Sequence, residues 1–160
     1  MNMTMKMPEP AVANRSWGRA VAIGLAVSVL TAVMMVSLSR SGLSPLPKPL
    51  GLAFAETLLR RDLPLPVGLL FHTAYVTFWS VLFVRFSPRR SLPVALALAA
   101  GLWLVVLLLF FPLVGWGIAG LAVSPKLIIA ALMPHLLFGV LLWALNRFAN
   151  RPNASANADM

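Results

Sequence analysis

An all-α, polytopic membrane protein is the fold this sequence predicts: four transmembrane helices in an antiparallel bundle, with a short interfacial helix in the first loop. Three observations carry that expectation. Four apolar stretches, residues 17–38, 66–86, 92–114 and 126–148, each have the length a bilayer demands; a hydrocarbon core about 30 Å thick takes ~20 residues at about 1.5 Å rise each. Of the 160 residues, 60% are hydrophobic and 11% charged, whereas soluble domains carry about 25% charged residues. The apolar runs are continuous rather than alternating, so helices, not a β-barrel, satisfy the backbone in lipid.

The elements follow in order. Residues 1–16 are polar, rich in Met and broken by Pro8 and Pro10, and read as a disordered tail. Residues 17–148 form the transmembrane domain. Its first span is too long for the apolar core of a signal peptide, which runs to about 15 residues, so an uncleaved helix is expected. Gly24, Ser28 and Ala32 recur at four-residue spacing along it. Such a row of small residues lets a neighbouring helix approach closely, and packing within the chain is the expected use.

The first loop, about 39–65, opens with Pro45, Pro47 and Pro49, which extend the backbone. Residues 50–61 then mix Leu52, Phe54, Leu58 and Leu59 with Glu56, Arg60 and Arg61, the pattern of an amphipathic helix lying in the interface. That helix is expected to cover the outer end of the bundle, with Glu56 and Asp62 near enough to offset Arg60 and Arg61. The second loop, 85–91, is short and sets spans two and three antiparallel. Pro112 predicts a kink or stop near the end of span three. Residues 149–160, rich in Asn and Ala, read as a second disordered tail.

Charge gives an orientation. Lys6, Arg15, Arg19, Arg85, Arg89, Arg90, Arg147 and Arg151 fall on the side of both termini, and Arg40, Lys48, Arg60, Arg61 and Lys126 on the other. The positive-inside rule then puts both termini in the cytoplasm of a bacterial cell, with the chain multi-pass in the inner membrane. The net charge of +9 is read as contact with anionic lipid headgroups, not with nucleic acid. Without cysteine, thiolate metal sites, disulfides and thiol nucleophiles are excluded.

Gly115-Trp116-Gly117-Ile118-Ala119-Gly120 fits the letter of a dinucleotide-binding motif. That motif needs a preceding strand and an acid about 20 residues on; here a membrane helix precedes it and the next acid is Asp159. A tight turn between spans, with Trp116 at the interface, is the expectation.

His72 and His135 are the chemically distinctive residues, since an ionisable group inside a span is a functional candidate. Both lie ~10–15 Å from the outer end of parallel spans, counted from Pro66 and Pro125. Each is followed on the same face by aromatic residues: Tyr75 and Trp79 after His72, Phe138 and Trp143 after His135. This suggests a two-hairpin internal repeat. Two readings of the pair stay open. The imidazoles could ligate a b-type haem or metal, with Gly139 clearing space beside His135. Alternatively they hydrogen-bond neighbouring groups such as Thr73, Thr77, Ser80 or Tyr75 and tie helices together. The spans contain no Asp or Glu, which disfavours ion-coupled transport, and no Ser–His–acid set can be assembled.

Four short segments, Thr31-Ala32-Val33-Met34-Met35, Val67-Gly68-Leu69-Leu70-Phe71-His72, Phe111-Pro112-Leu113-Val114-Gly115-Trp116-Gly117 and Pro134-His135-Leu136-Leu137-Phe138-Gly139, resemble those of small uncharacterised bacterial four-helix inner-membrane proteins of the YagU-like kind. The resemblance covers about residues 21–145 and implies a location and a topology, with no reaction to carry over. It departs from expectation at Val76, where a glycine would mirror Gly139. The functional expectation is non-enzymatic: helix packing or association with a membrane-protein partner or a second copy, among membrane lipids and with no cofactor. Two alternatives stand beside it, a bis-histidine haem electron carrier and an oligomeric ligand or ion pathway lined by Thr73, Thr77, Ser80 and the histidines.

Overall fold

The structure, a computed structural model, describes residues 17–150; both expected tails fall outside that range except for the last turn of the final helix. Five helices form, at the expected places: α1 (Trp17–Arg40), α2 (Leu50–Leu59), α3 (Leu65–Phe86), α4 (Leu92–Leu113) and α5 (Lys126–Ala149). Helices α1, α3, α4 and α5 are each long and apolar enough to cross a membrane. Large apolar side chains cover their outer faces, among them Val29, Leu70, Phe78, Leu108 and Val140, as lipid rather than water would allow. Trp17 and Asn150 mark one end of the molecule, the termini end, and α2 marks the other, the lid end.

The helices pack as two hairpins. Helix α1 lies against α3, and α4 against α5; α1 also meets α5. The short loop sets α3 and α4 antiparallel, as expected, yet the two are not a closely packed pair. The loop constrains only their ends, while small residues decide which backbones come together. Gly24 of α1 lies where an added Cβ would come within 2.9 Å of Thr77 Cα, so only glycine permits this approach. Gly139 of α5 is seated likewise against Ala95 and Ala99 of α4. The small-residue row on α1 thus serves packing within the chain, with Ala20, Gly24, Ser28 and Thr31 buried.

Two apolar cores result, and they divide the molecule by depth. The core toward the termini end joins all four long helices through Ile23, Val27, Val76, Phe83, Ala99, Leu102, Phe138 and Leu142. The core toward the lid end joins Ala53 of α2 with Val106, Leu107, Phe111, Trp116, Leu127 and Ala131; no residue of α1 belongs to it. Burial along α1 stops at Thr31. The hairpins are therefore packed together in one half and stand apart in the other.

Helix α2 fills part of that gap. Gly51 and Gly68 bring its backbone onto α3: a Cβ on Gly68 would lie 2.6 Å from Leu52 Cα. Phe54 stacks edge-on against Phe71 of α3 at 6.0 Å and Phe110 of α4 at 5.1 Å. Glu56 accepts a hydrogen bond from Lys48 Nζ at 2.6 Å and one from the Leu63 amide at 3.4 Å. It thus ties both flanks of the lid, so Glu56 pairs with Lys48 instead of Arg60 and Arg61. The lysine ammonium holds the Glu56 carboxyl below its ordinary value.

Pro112 does not break α4. One turn earlier, residues Val106–Phe110 widen into a π-helix in which the Phe111 amide bonds to Val106 O, and this absorbs the missing proline donor. The glycine motif is a turn: Gly115, Gly117 and Gly120 all take φ near +80° (80°, 76° and 76°). Trp116 differs from expectation. It is only 8% exposed and packs on Phe111, with ring centroids 5.3 Å apart, because the turn folds back into the core rather than out to the interface.

Candidate functional site: a cavity between the hairpins

Where the hairpins stand apart, a cavity of about 470 Å³ opens below α2. It is lined by all five helices and contains both histidines together with Tyr75 and Thr31. The equal depth of His72 and His135 read from the sequence therefore has a structural counterpart in one shared chamber. Aromatic rings form much of the wall: Phe71 and Tyr75 from α3, Phe110 from α4, Phe54 from the lid. Tyr75 meets Phe110 edge-on at 5.6 Å and bridges the α3–α4 gap by side chain. The π-turn positions Phe110 and Phe111 for this role.

Both histidines are held by hydrogen bonds, and His72 has the Ser28 backbone among its partners. His72 Nε2 lies 3.1 Å from Thr31 Oγ1 on α1, across the first hairpin. The expected partners were on its own helix, and they are otherwise engaged. Ser80 donates to Val76 O at 2.7 Å. Thr77 packs against Gly24 with its hydroxyl buried and unpartnered. Thr73 does not line the cavity. His135 Nδ1 lies 2.6 Å from Ala131 O one turn back. Gly139, expected to make room beside His135, instead makes room for α4. The Tyr75 hydroxyl is buried and, with the Trp79 indole beside it, makes no well-formed hydrogen bond.

Two contributors escaped the sequence reading. Thr31 was treated as part of an apolar motif, although a threonine three residues after Ser28 on the packed face was the available signal. Pro134 lies inside α5 and lines the cavity. It has no N–H to give Ala130 O, and it loosens the helix next to His135. Met34, Met35 and Met133 also line the chamber, and Met133 is 50% exposed. The cavity wall thus reaches the molecular surface at Met133 of α5 and, in the loop before α2, at Leu43.

The donor set is a poor match for a haem or metal. His72 directs Nε2 into α1 instead of the chamber, and no Lys, Arg, Asp or Glu lines the wall, leaving nothing to pair with haem propionates. Among the described residues no group of three His, Cys, Asp or Glu side chains could hold a metal ion. Thr77 and Ser80 pack against Gly24 of α1 and do not line this cavity. What remains is a large, apolar, aromatic chamber with a few convergent polar atoms, the usual composition of a small-molecule site. No family model, curated protein or solved structure matches the chain.

Proposed function

We propose that this is a non-enzymatic integral membrane protein of a bacterial inner membrane that binds a lipophilic small molecule between its hairpins. The observation that carries the reading is the chamber of about 470 Å³. Its size lies within the range of ligand pockets, about 300–1,000 Å³. A packed bundle has no use for such a void, because lost dispersion contacts make cavities destabilising. The opening at Met133 of α5 faces the hydrocarbon, so the ligand comes from the lipid. This narrows the ligand-pathway alternative to a pocket within one chain, beside the packing role expected of the helices.

Orientation belongs to the same reading. Arg19, Arg85 and Arg147 gather at the termini end, where Arg85 lies over the Trp17 ring at 4.4 Å and Arg19 bonds to Asn150 at 3.2 Å. These residues suit a cytoplasmic, anionic headgroup layer. The lid then lies on the periplasmic side. A reporter fused after Asn150 is expected to be active only in the cytoplasm; periplasmic activity there overturns the orientation.

The binding reading is tested by native mass spectrometry of protein released from its own membranes. A lipophilic adduct is expected, and it should be lost when Ala130→Trp fills the chamber. Unliganded protein from native membranes, combined with no uptake of lipophilic probes in nanodiscs, overturns the reading.

A further inference from the structure

The hydrogen bonds already made inside the chamber determine what a ligand must bring. A neutral imidazole has one N–H and one lone pair. A backbone carbonyl only accepts, so the contact of His135 Nδ1 with Ala131 O at 2.6 Å puts the hydrogen on Nδ1 and the lone pair on Nε2. His72 also has the Ser28 backbone as a hydrogen-bond partner, and Nε2 is the nitrogen on that side, 3.1 Å from Thr31 Oγ1, which is itself 3.1 Å from Ser28 O. A carbonyl only accepts, so Nε2 carries the hydrogen and the lone pair is on Nδ1. The Tyr75 hydroxyl is buried out of reach of the open space, and only its ring faces the chamber. The chamber thus presents two nitrogen lone pairs.

Lone pairs call for a donor. A cationic donor, such as an amine, would enter with no carboxylate on the wall, into a chain of net charge +9, and would have to be stripped of water. A neutral hydroxyl meets none of these obstacles. It can donate to an imidazole without carrying a charge into the site. The ring edges and faces of Phe54, Phe71, Tyr75 and Phe110 around it suit a flat aromatic body. The exposed side of Met133 marks where an apolar tail would leave toward the lipid.

We infer that the chamber selects a phenolic lipophile, a hydroquinone-type ring with an apolar tail, over the same ring carrying only carbonyl oxygens. This rests on the lipophile-binding reading. A quinone would leave both imidazole lone pairs facing acceptors, and unpaired polar groups in a dry site penalise binding.

The test uses the full chain in nanodiscs and three decyl-substituted probes: a hydroquinone kept reduced, its dimethyl ether, and the corresponding quinone. Uptake is measured above that of empty nanodiscs. The hydroquinone is expected to bind at least about tenfold more tightly than either analogue, as one good hydrogen bond allows. His135→Phe should reduce that preference several-fold, whereas Tyr75→Phe, which removes a hydroxyl that does not reach the chamber, should leave it unchanged. Equal uptake of all three probes, abolished by Ala130→Trp, overturns the hydroxyl requirement and leaves the binding reading standing. Tighter binding of the quinone overturns the requirement too. No uptake of any probe overturns both.

Discussion

Replacing Gly68 by alanine tests whether α2 is a seated lid. The added methyl carbon would lie 2.6 Å from Leu52 Cα and Cβ and 2.7 Å from Leu52 N. Carbon atoms settle at about 3.5–4.0 Å, so α2 must retreat by roughly 1 Å. The obstruction is mostly backbone, which no rotamer change relieves. Retreat pulls Phe54 from its contacts with Phe71 and Phe110. Overpacking of this kind typically costs about 1–3 kcal/mol, which raises the population of an unseated lid about 5- to 150-fold. The chain has no cysteine, so a single thiol reports without background. Ala53, buried beneath the lid, is the position for it. In Ala53→Cys protein, a water-soluble maleimide should react slowly. Adding Gly68→Ala should raise the rate by the factor above, whereas Gly101→Ala, with open space around its Cβ, should not. Helicity by circular dichroism distinguishes lid release from unfolding. If Gly68→Ala labels within twofold of its parent, the close approach of α2 and α3 does not hold the lid, and the reasoning fails.

Further expectations use the same reporter or simple stability measurements. The Glu56 carboxyl is held below its ordinary value of 4.5 chiefly by its hydrogen bond to Lys48. A depressed acid stabilises the folded state above its unfolded pKa and loses that contribution as pH falls through the folded one. Labelling at position 53, taken at each pH relative to a free thiol because only the thiolate reacts, should therefore be flat above about pH 5 and rise below 4.5, and Glu56→Gln should remove the step; a rise that persists in the variant assigns it to another group. Thr31→Val and His72→Phe, combined in a double-mutant cycle, should show coupling of about 0.6 kcal/mol and at most about 1.7, read by unfolding in bicelles; strict additivity would mean the 3.1 Å contact contributes nothing. Trp103→Phe deletes the indole bond to Ile128 O at 3.0 Å and should lower stability by about 0.5–1.5 kcal/mol, with no change in labelling at position 53.

The fold was readable because lipid imposes one rule on every residue of a span: backbone satisfied within the helix, side chains apolar. The boundaries of α1, α3, α4 and α5 follow from it to within about two residues, and the lid follows from its mixed composition before Pro64. Which helices pair was not readable. Chain order favoured α3 with α4, but the deciding quantity is how near two backbones can come, and that depends on Gly24 meeting Thr77 and Gly139 meeting Ala95 across long sequence separations. The histidines were legible as a pair at one depth, for the same geometric reason that fixes helix rise. Their partners were not, because a hydroxyl on α1 and a carbonyl one turn back leave no mark in the spacing of the residues themselves.

The π-turn of α4 carries one more consequence. A helix that spends five residues where an α-helix spends fewer is out of phase with itself: the segment before Val106 and the segment after Phe110 cannot be drawn on one helical wheel. Excising one of the lipid-facing leucines, Leu108 or Leu109, would restore α-helical spacing but leave a carbonyl one turn before Pro112 without a donor. It would also turn the lid-end segment by about 100°, carrying Phe110 and Phe111 off the cavity wall. The irregularity thus acts as a phase offset that lets one helix face its hairpin partner along one half and the chamber along the other.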